Sequence, residues 1–204
     1  KPLLAALNEM GVRAASASRE GLPPITIRGP NNGRWTHIRG DVSSQFISSL
    51  LISSALKELD TEIVITTPLT SRPYVEITRE MMARHDVTSA ETKNGYRVLG
   101  GQTYRPRDHT IPGDYSSASF PLVAGALTGK VTVAGLDPDD RQGDRAVLDV
   151  LKRFGALVSV KGDEATVERG ALKGIEVDVG SMPDSFPVLA VLATQASGST
   201  VLRN

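Results

Sequence analysis

Two serines and a glutamine, Ser43, Ser44 and Gln45, stand at the mouth of an apolar run in "RGDVSSQFISSLLISSAL". A helix beginning there leaves its first backbone N–H groups unpaired and carries a partial positive charge at that end. Hydroxyls and a side-chain amide beside those N–H groups make an anion site that accepts a phosphate without further charge. The same residues admit a second reading, because Asp and Ser are preferred helix N-caps in any case. Gln45 weighs toward the anion, since a glutamine adds nothing to a cap at that position. The segment "SRPY", residues 71–74, opens another predicted helix, with Pro73 suited to its first turn. Ser71 and Arg72 could both reach an anion from there, and Tyr74 offers a ring and a hydroxyl. In "MPDSFP", residues 182–187, Asp184 stands at the start of a third apolar helix. It is either a cap or a general base, the latter if anionic substrates nearby raise its pKa.

These motifs sit in a repeated grammar. "RGDVSSQF" is echoed 73 positions later by "PGDYSSASF", and more loosely by "GSMPDSFP". The chain begins in a helical pattern (Leu3, Leu4, Leu7, Met10) that Gly11 closes. Residues 12–30 predict a strand, a turn around Pro23 and Pro24, and a second strand; "NNGRWTHIRG" adds a turn and strand. A helix over 43–56 follows, with Asp41 or Ser43 as N-cap. Then come strand "TEIVITT", a helix over 74–87, and a hairpin signalled by Asn94-Gly95. The second block repeats this order. A helix over 116–127 and strand "GKVTVAGL" precede helix "RAVLDVLKRFG" and the strands "ALVSVKGDEATVERG" and "IEVDVG". A unit of about 70 residues is too long for a solenoid repeat and suits a duplicated α+β fold. Helices over 46–56, 118–127 and 186–196 are apolar or small on nearly every face, which predicts helices inside and sheets outside. The Pro- and Gly-rich segment 100–114 is the candidate domain junction.

Composition excludes several classes. Lys plus Arg and Asp plus Glu each number 23, so the formal net charge is zero. This argues against a nucleic-acid or membrane partner held by bulk electrostatics. At 204 residues and 40% hydrophobic content, the chain can bury one large core or two small ones. It has no run of about 18 apolar residues that would span a membrane. The absence of cysteine rules out disulfides, thiolate metal sites and a cysteine nucleophile. His37, His85 and His109 lack metal-ligand spacing and are expected at the surface. A cytoplasmic, monomeric globular protein is the expectation. The first helix has no cap before it and the last strand is cut short, so a segment of a longer protein is expected.

In order and spacing, "GDVSSQF", "SRPYVEIT", "GDYSSASF" and "MPDSFPVLAVLAT…GSTVLRN" resemble the middle of the 5-enolpyruvylshikimate-3-phosphate synthase (EPSP synthase) family. The resemblance covers essentially the whole chain. It implies inside-out α/β barrel-like domains built from repeated α+β units, agreeing with the pattern above. Residues 1–112 would be part of the domain that binds shikimate 3-phosphate, and 113–204 part of the second domain. The resemblance implies that Ser43, Ser44 and Ser71 hold the phosphate of shikimate 3-phosphate. Gln45 would lie between that substrate and phosphoenolpyruvate, and Tyr74 would pack on the shikimate ring. It further implies a phosphate contact for Arg72, and for Asp184 contacts to the shikimate hydroxyls and the role of base for the 5-hydroxyl. That hydroxyl would add to the central carbon of phosphoenolpyruvate, and the intermediate would lose inorganic phosphate. No metal or organic cofactor is implied. "GDYSSASF" would be a hinge and helix cap at the domain crossover, with Asp114 near the cleft.

The chain also departs from the family. The family's Lys-Ser segment, its Asn-Ala-Gly-Thr segment with a following arginine, and its Lys-Glu and Asp-His-Arg segments have no counterpart here. Those segments supply most of the cations that neutralise two phosphorylated substrates, so independent catalysis by these residues is not expected. Two rivals remain. The enolpyruvyl transferase acting on UDP-N-acetylglucosamine shares the fold, but it usually carries a reactive cysteine. A non-catalytic module of the RNA-terminal phosphate cyclase type would be expected to show a basic face.

Overall fold

A computed structural model describes every residue except Arg19 and Glu20. The strand–turn–strand expectation for 12–30 includes those two positions, which lie outside the described residues. The chain forms two compact units, Lys1–Asp108 and His109–Asn204.

In the first unit, helix α1 (Pro2–Glu9) buries Ala6 and is followed by the antiparallel pair β1 (Arg13–Ser16) and β2 (Ile25–Arg28). A four-stranded sheet has the order β3-β4-β6-β5, from β3 (Trp35–Ile38), β4 (Thr61–Ile65), β5 (Ser89–Thr92) and β6 (Gly95–Val98). Strands β3 and β4 are parallel, so the chain must cross over between them. Helix α2 (Ser44–Ser54) makes that crossover, and α3 (Arg72–Arg84) leads from β4 to the β5–β6 hairpin. Alternation along β3 turns Thr36 and Ile38 inward, where Ile47, Leu50 and Leu51 of α2 meet Ile63, Val75, Tyr96 and Val98.

The hairpin forms one residue out of the expected register. Thr92 pairs with Gly95, so the two-residue loop is Lys93-Asn94 and Gly95 opens β6. Gly95 is needed there at φ +155°, because a Cβ would lie 2.0 Å from the Ile63 carbonyl oxygen of the adjacent strand. Cross-strand crowding, rather than turn chemistry, decided this glycine.

The second unit repeats the first. Helix α4 (Tyr115–Thr128) precedes β7 (Lys130–Val133), and a 3₁₀ turn (Gly143–Ala146) runs into α5 (Val147–Phe154). Strands β8 (Leu157–Lys161) and β9 (Glu164–Glu168) then complete a sheet of order β7-β9-β8. This is the order of β4-β6-β5, displaced by about 70 residues. Next, β10 (Glu176–Asp178), a 3₁₀ turn (Pro183–Ser185), α6 (Phe186–Ala193) and β11 (Val201–Arg203) repeat the parallel β3–α2–β4 crossover. A separate core holds Tyr115, Leu122, Leu151, Phe154, Val167 and Leu189. The expected cap on the second phrase is present. Asp114 accepts from the Ser116 and Ser117 N–H groups at 3.1 and 3.0 Å. Within their own units, α2, α4 and α6 each bury one face. Another face stays open at Ile52, Phe120 and Val191 (45%, 53% and 54% exposed). Among the described residues, no helix is long and apolar enough to cross a membrane.

Candidate active site

The first turn of α2 resolves the choice of cap. Ser43 is extended (φ −166°, ψ 125°) and accepts from the Gln45 N–H at 3.3 Å. A hydroxyl that accepts through its oxygen still has its proton to donate, so capping and anion binding are compatible at this residue. Ser44 is buried in that turn and Gln45 is exposed.

Asp41, the other candidate cap, does different work. It accepts from the Arg39 guanidinium at 3.0 and 2.7 Å and from the Thr67 hydroxyl at 2.8 Å. Thr67 in turn accepts from the N–H groups of Gly40 and Asp41 at 2.9 and 3.2 Å. Arg39 first, and then Thr67, hold the Asp41 carboxyl below the usual carboxylate range. A depressed native pKa contributes stability above the unfolded value of 3.8, which is lost as pH falls through the native value. Acid unfolding of Asp41→Asn is therefore expected to be less steep below about pH 4 than that of the unsubstituted chain. Identical acid limbs followed by circular dichroism would refute a role for this carboxylate.

The loop before α3 is pulled onto the same place. The N–H and hydroxyl of Thr70 both reach the Gly40 carbonyl oxygen, at 3.2 Å each. A Cβ on Gly40 would lie 2.9 Å from both Leu69 Cα and the Thr67 oxygen, so this approach requires glycine. Ser71 then takes the left-handed conformation (φ 53°, ψ 36°) and makes no side-chain cap bond. For a non-glycine residue this costs about 1 kcal/mol, the kind of strain that collects at functional loops. Tyr74 follows one turn on, its N–H donating to the Ser71 carbonyl at 3.1 Å. Helices α2 and α3 lie side by side, with the Ser48 and Thr78 hydroxyls 2.7 Å apart. Since β3 and β4 are parallel, both helices start from the same edge of the sheet. Two helix N-termini bearing Ser43, Ser44, Gln45, Ser71 and Tyr74 therefore sit beyond the carboxyl ends of adjacent parallel strands. That is where anions bind in such sheets.

Arg72 makes ion pairs at the start of α3. Its guanidinium lies 2.5 Å from Glu91 and 3.8 Å from Glu76, and the Glu91 carboxylate raises its pKa. Glu76 also takes Arg79 at 2.6 Å and accepts from the Tyr96 hydroxyl at 3.1 Å. Burial, followed by Glu76, pushes Tyr96 up to about 12, so its hydroxyl remains a donor. The network braces the start of α3 from β5 and β6. Glu76 lies one helical turn from Arg72, a spacing visible in the sequence, whereas Glu91 carried no local signal, since it reaches Arg72 from β5, beyond the far end of α3. Thr67 and Gly40 were likewise not singled out by sequence, because their importance comes from a crossing of two loops.

Asp184 belongs to the second unit. It lies exposed on the 3₁₀ turn Pro183–Ser185, while Met182 and Ser185 on either side are buried. The cap positions of this turn and of α6 are Met182 and Ser185, and neither makes a side-chain cap bond. The cap reading of Asp184 is therefore not what the turn uses, and its carboxylate faces outward.

Repeated parallel crossovers joined to antiparallel hairpins define the class. Similar folds occur in EPSP synthase from Acinetobacter baumannii (TM-score 0.73, 24% identity, 98% of this chain and 47% of that one). The enolpyruvyl transferase NikO from Streptomyces tendae is also similar (TM-score 0.76, 20% identity, 100% and 51%). The architecture is thus the inside-out α/β fold of enolpyruvyl transferases. The family model described as EPSP synthase (3-phosphoshikimate 1-carboxyvinyltransferase) matches residues 1–204, and the chain belongs to that family. It is 50% identical over 202 residues to the 3-phosphoshikimate 1-carboxyvinyltransferase of Methanocorpusculum labreanum, covering 99% of this chain and 47% of that protein. It is 41% identical to the enzyme of that name from Methanocaldococcus jannaschii, covering 100% and 48%. The chain spans about half the length of the curated relatives it matches.

Proposed function

We propose that this chain forms part of a 3-phosphoshikimate 1-carboxyvinyltransferase, acting in aromatic amino acid biosynthesis as a cytoplasmic monomer. The observation that carries this reading is the pair of stitched helix N-termini in the first unit, in a chain whose whole length matches the family. In this reading the first unit belongs to the domain that binds shikimate 3-phosphate. Ser43, Ser44 and Ser71 donate to its phosphate, with the dipoles of α2 and α3 supplying positive potential. Gln45 sits between that substrate and phosphoenolpyruvate, and Tyr74 lies against the shikimate ring. Arg72 orients the first turn of α3 through Glu91.

Asp184 takes the proton of the 5-hydroxyl as the hydroxyl oxygen bonds to C2 of phosphoenolpyruvate, the C2–C3 π bond opens, and C3 takes a proton from water. The tetrahedral adduct then loses inorganic phosphate as the C3 proton leaves, restoring the double bond. Binding energy at the phosphate serves to hold the hydroxyl in line with C2.

The test is phosphate release from phosphoenolpyruvate by a polypeptide of the relatives' length carrying this sequence. Release is expected only when shikimate 3-phosphate is present. Release supported instead by UDP-N-acetylglucosamine would overturn the reading.

A further inference from the structure

One carboxylate in the second unit is wholly inside it. Asp144, on the 3₁₀ turn before α5, has 0% exposure. Its Oδ2 accepts from the Ser116 hydroxyl at 2.9 Å, and its Oδ1 from the Ser185 hydroxyl at 2.5 Å. Ser116 belongs to the second Gly-Asp-x-Ser-Ser phrase and Ser185 to the third, looser one, so Asp144 joins two copies of the repeated motif. The loop that delivers it is also fixed to the start of α4. Gln142 accepts from the Tyr115 N–H at 2.7 Å, and the Tyr115 hydroxyl donates to the Asp137 carbonyl at 3.1 Å.

We propose that Asp144 is a positioning residue for Asp184. Ser185, itself 0% exposed, is the neighbour of Asp184 on a turn whose N-cap, Met182, makes no side-chain cap bond. Clamping the Ser185 side chain against α4 fixes the backbone from which Asp184 projects. A buried carboxylate is costly, and an apolar residue would fill the space at less expense in desolvation. What an apolar residue cannot do is accept two short, directional hydrogen bonds and so hold one rotation of the turn. The inference rests on the reading of Asp184 as the base, and placement errors near 1 Å at such a group cost about 100-fold in rate.

The experiment uses a polypeptide of the relatives' length. Asp144→Ala removes both acceptor oxygens, and Ser185→Ala removes the tether from the other side. Each is expected to lower kcat about 10- to 100-fold, with KM for shikimate 3-phosphate within about threefold. The double variant should lose little more than either single one, because both break the Ser185–Asp144 contact. Ser185→Thr, which keeps the hydroxyl, should restore most of kcat. Should Asp144→Ala fail to fold, Ser185→Ala and its threonine rescue carry the test. Unchanged kcat in Ser185→Ala, alongside an inactive Asp184→Asn, overturns the clamp alone. Full turnover in Asp184→Asn overturns the base assignment beneath it.

Discussion

Asp184→Asn, made in a polypeptide of the relatives' length, is expected to lower kcat by about 10³-fold while leaving thermal unfolding unchanged. The two halves of that expectation have separate physical grounds. Asparagine has the shape of aspartate but cannot take the proton of an attacking hydroxyl, and general-base catalysis is worth about 10²- to 10⁴-fold. Stability should hold because Asp184 is exposed and caps neither the 3₁₀ turn nor α6. The buried side of that turn belongs to Met182 and Ser185, which the substitution leaves alone. Turnover within tenfold of the unsubstituted enzyme would remove Asp184 from the mechanism. A large fall in melting temperature would show that the carboxylate supports the fold.

Gly40→Ala should be the most damaging small substitution in the first unit's site. Its Cβ would come within 2.9 Å of Leu69 Cα and the Thr67 oxygen and 2.8 Å of Ile65 Cγ2. Two of those three contacts are backbone, which cannot swing aside as a side-chain tip can. Relief requires the 67–70 loop to withdraw from α2, breaking both Thr70 bonds to the Gly40 carbonyl. Overpacking of this kind costs about 1–3 kcal/mol of stability. If Ser71 holds the phosphate as proposed, separating the two helix starts also removes it from that ligand. Hydrogen bonds to a charged group are worth about 1.5–3 kcal/mol, so affinity for shikimate 3-phosphate should fall by about 10- to 100-fold. Calorimetry with shikimate 3-phosphate checks the second figure and urea unfolding the first. Native affinity in a folded Gly40→Ala variant would show that the two loops bind independently.

The helices and their order were readable because helix periodicity and N-cap chemistry are local. Ser43 before an apolar run and Asp114 before another announce their roles within a few residues. Register at the β5–β6 turn was not readable, because the Ile63 carbonyl that excludes a side chain at Gly95 comes from another strand. Arg72 shows the same limit for the site. Beside Ser71 it reads as an anion ligand, and nothing in that stretch announces its ion pair with Glu91, 19 residues away.

By itself, the sequence determined the repeated α+β grammar, the family, and which serines and which aspartate stand at helix starts. Each of these is written in near-neighbour spacing. The tertiary structure alone decided how those helix starts are held. Asp41 became a loop brace instead of a cap, Gly40 a point of backbone crossing, and Asp144 a buried tie between two copies of the motif. These roles depend on which segments meet after the parallel crossovers close. Hydrogen bonds and close contacts between residues about 30 or 40 positions apart leave no periodicity along the chain.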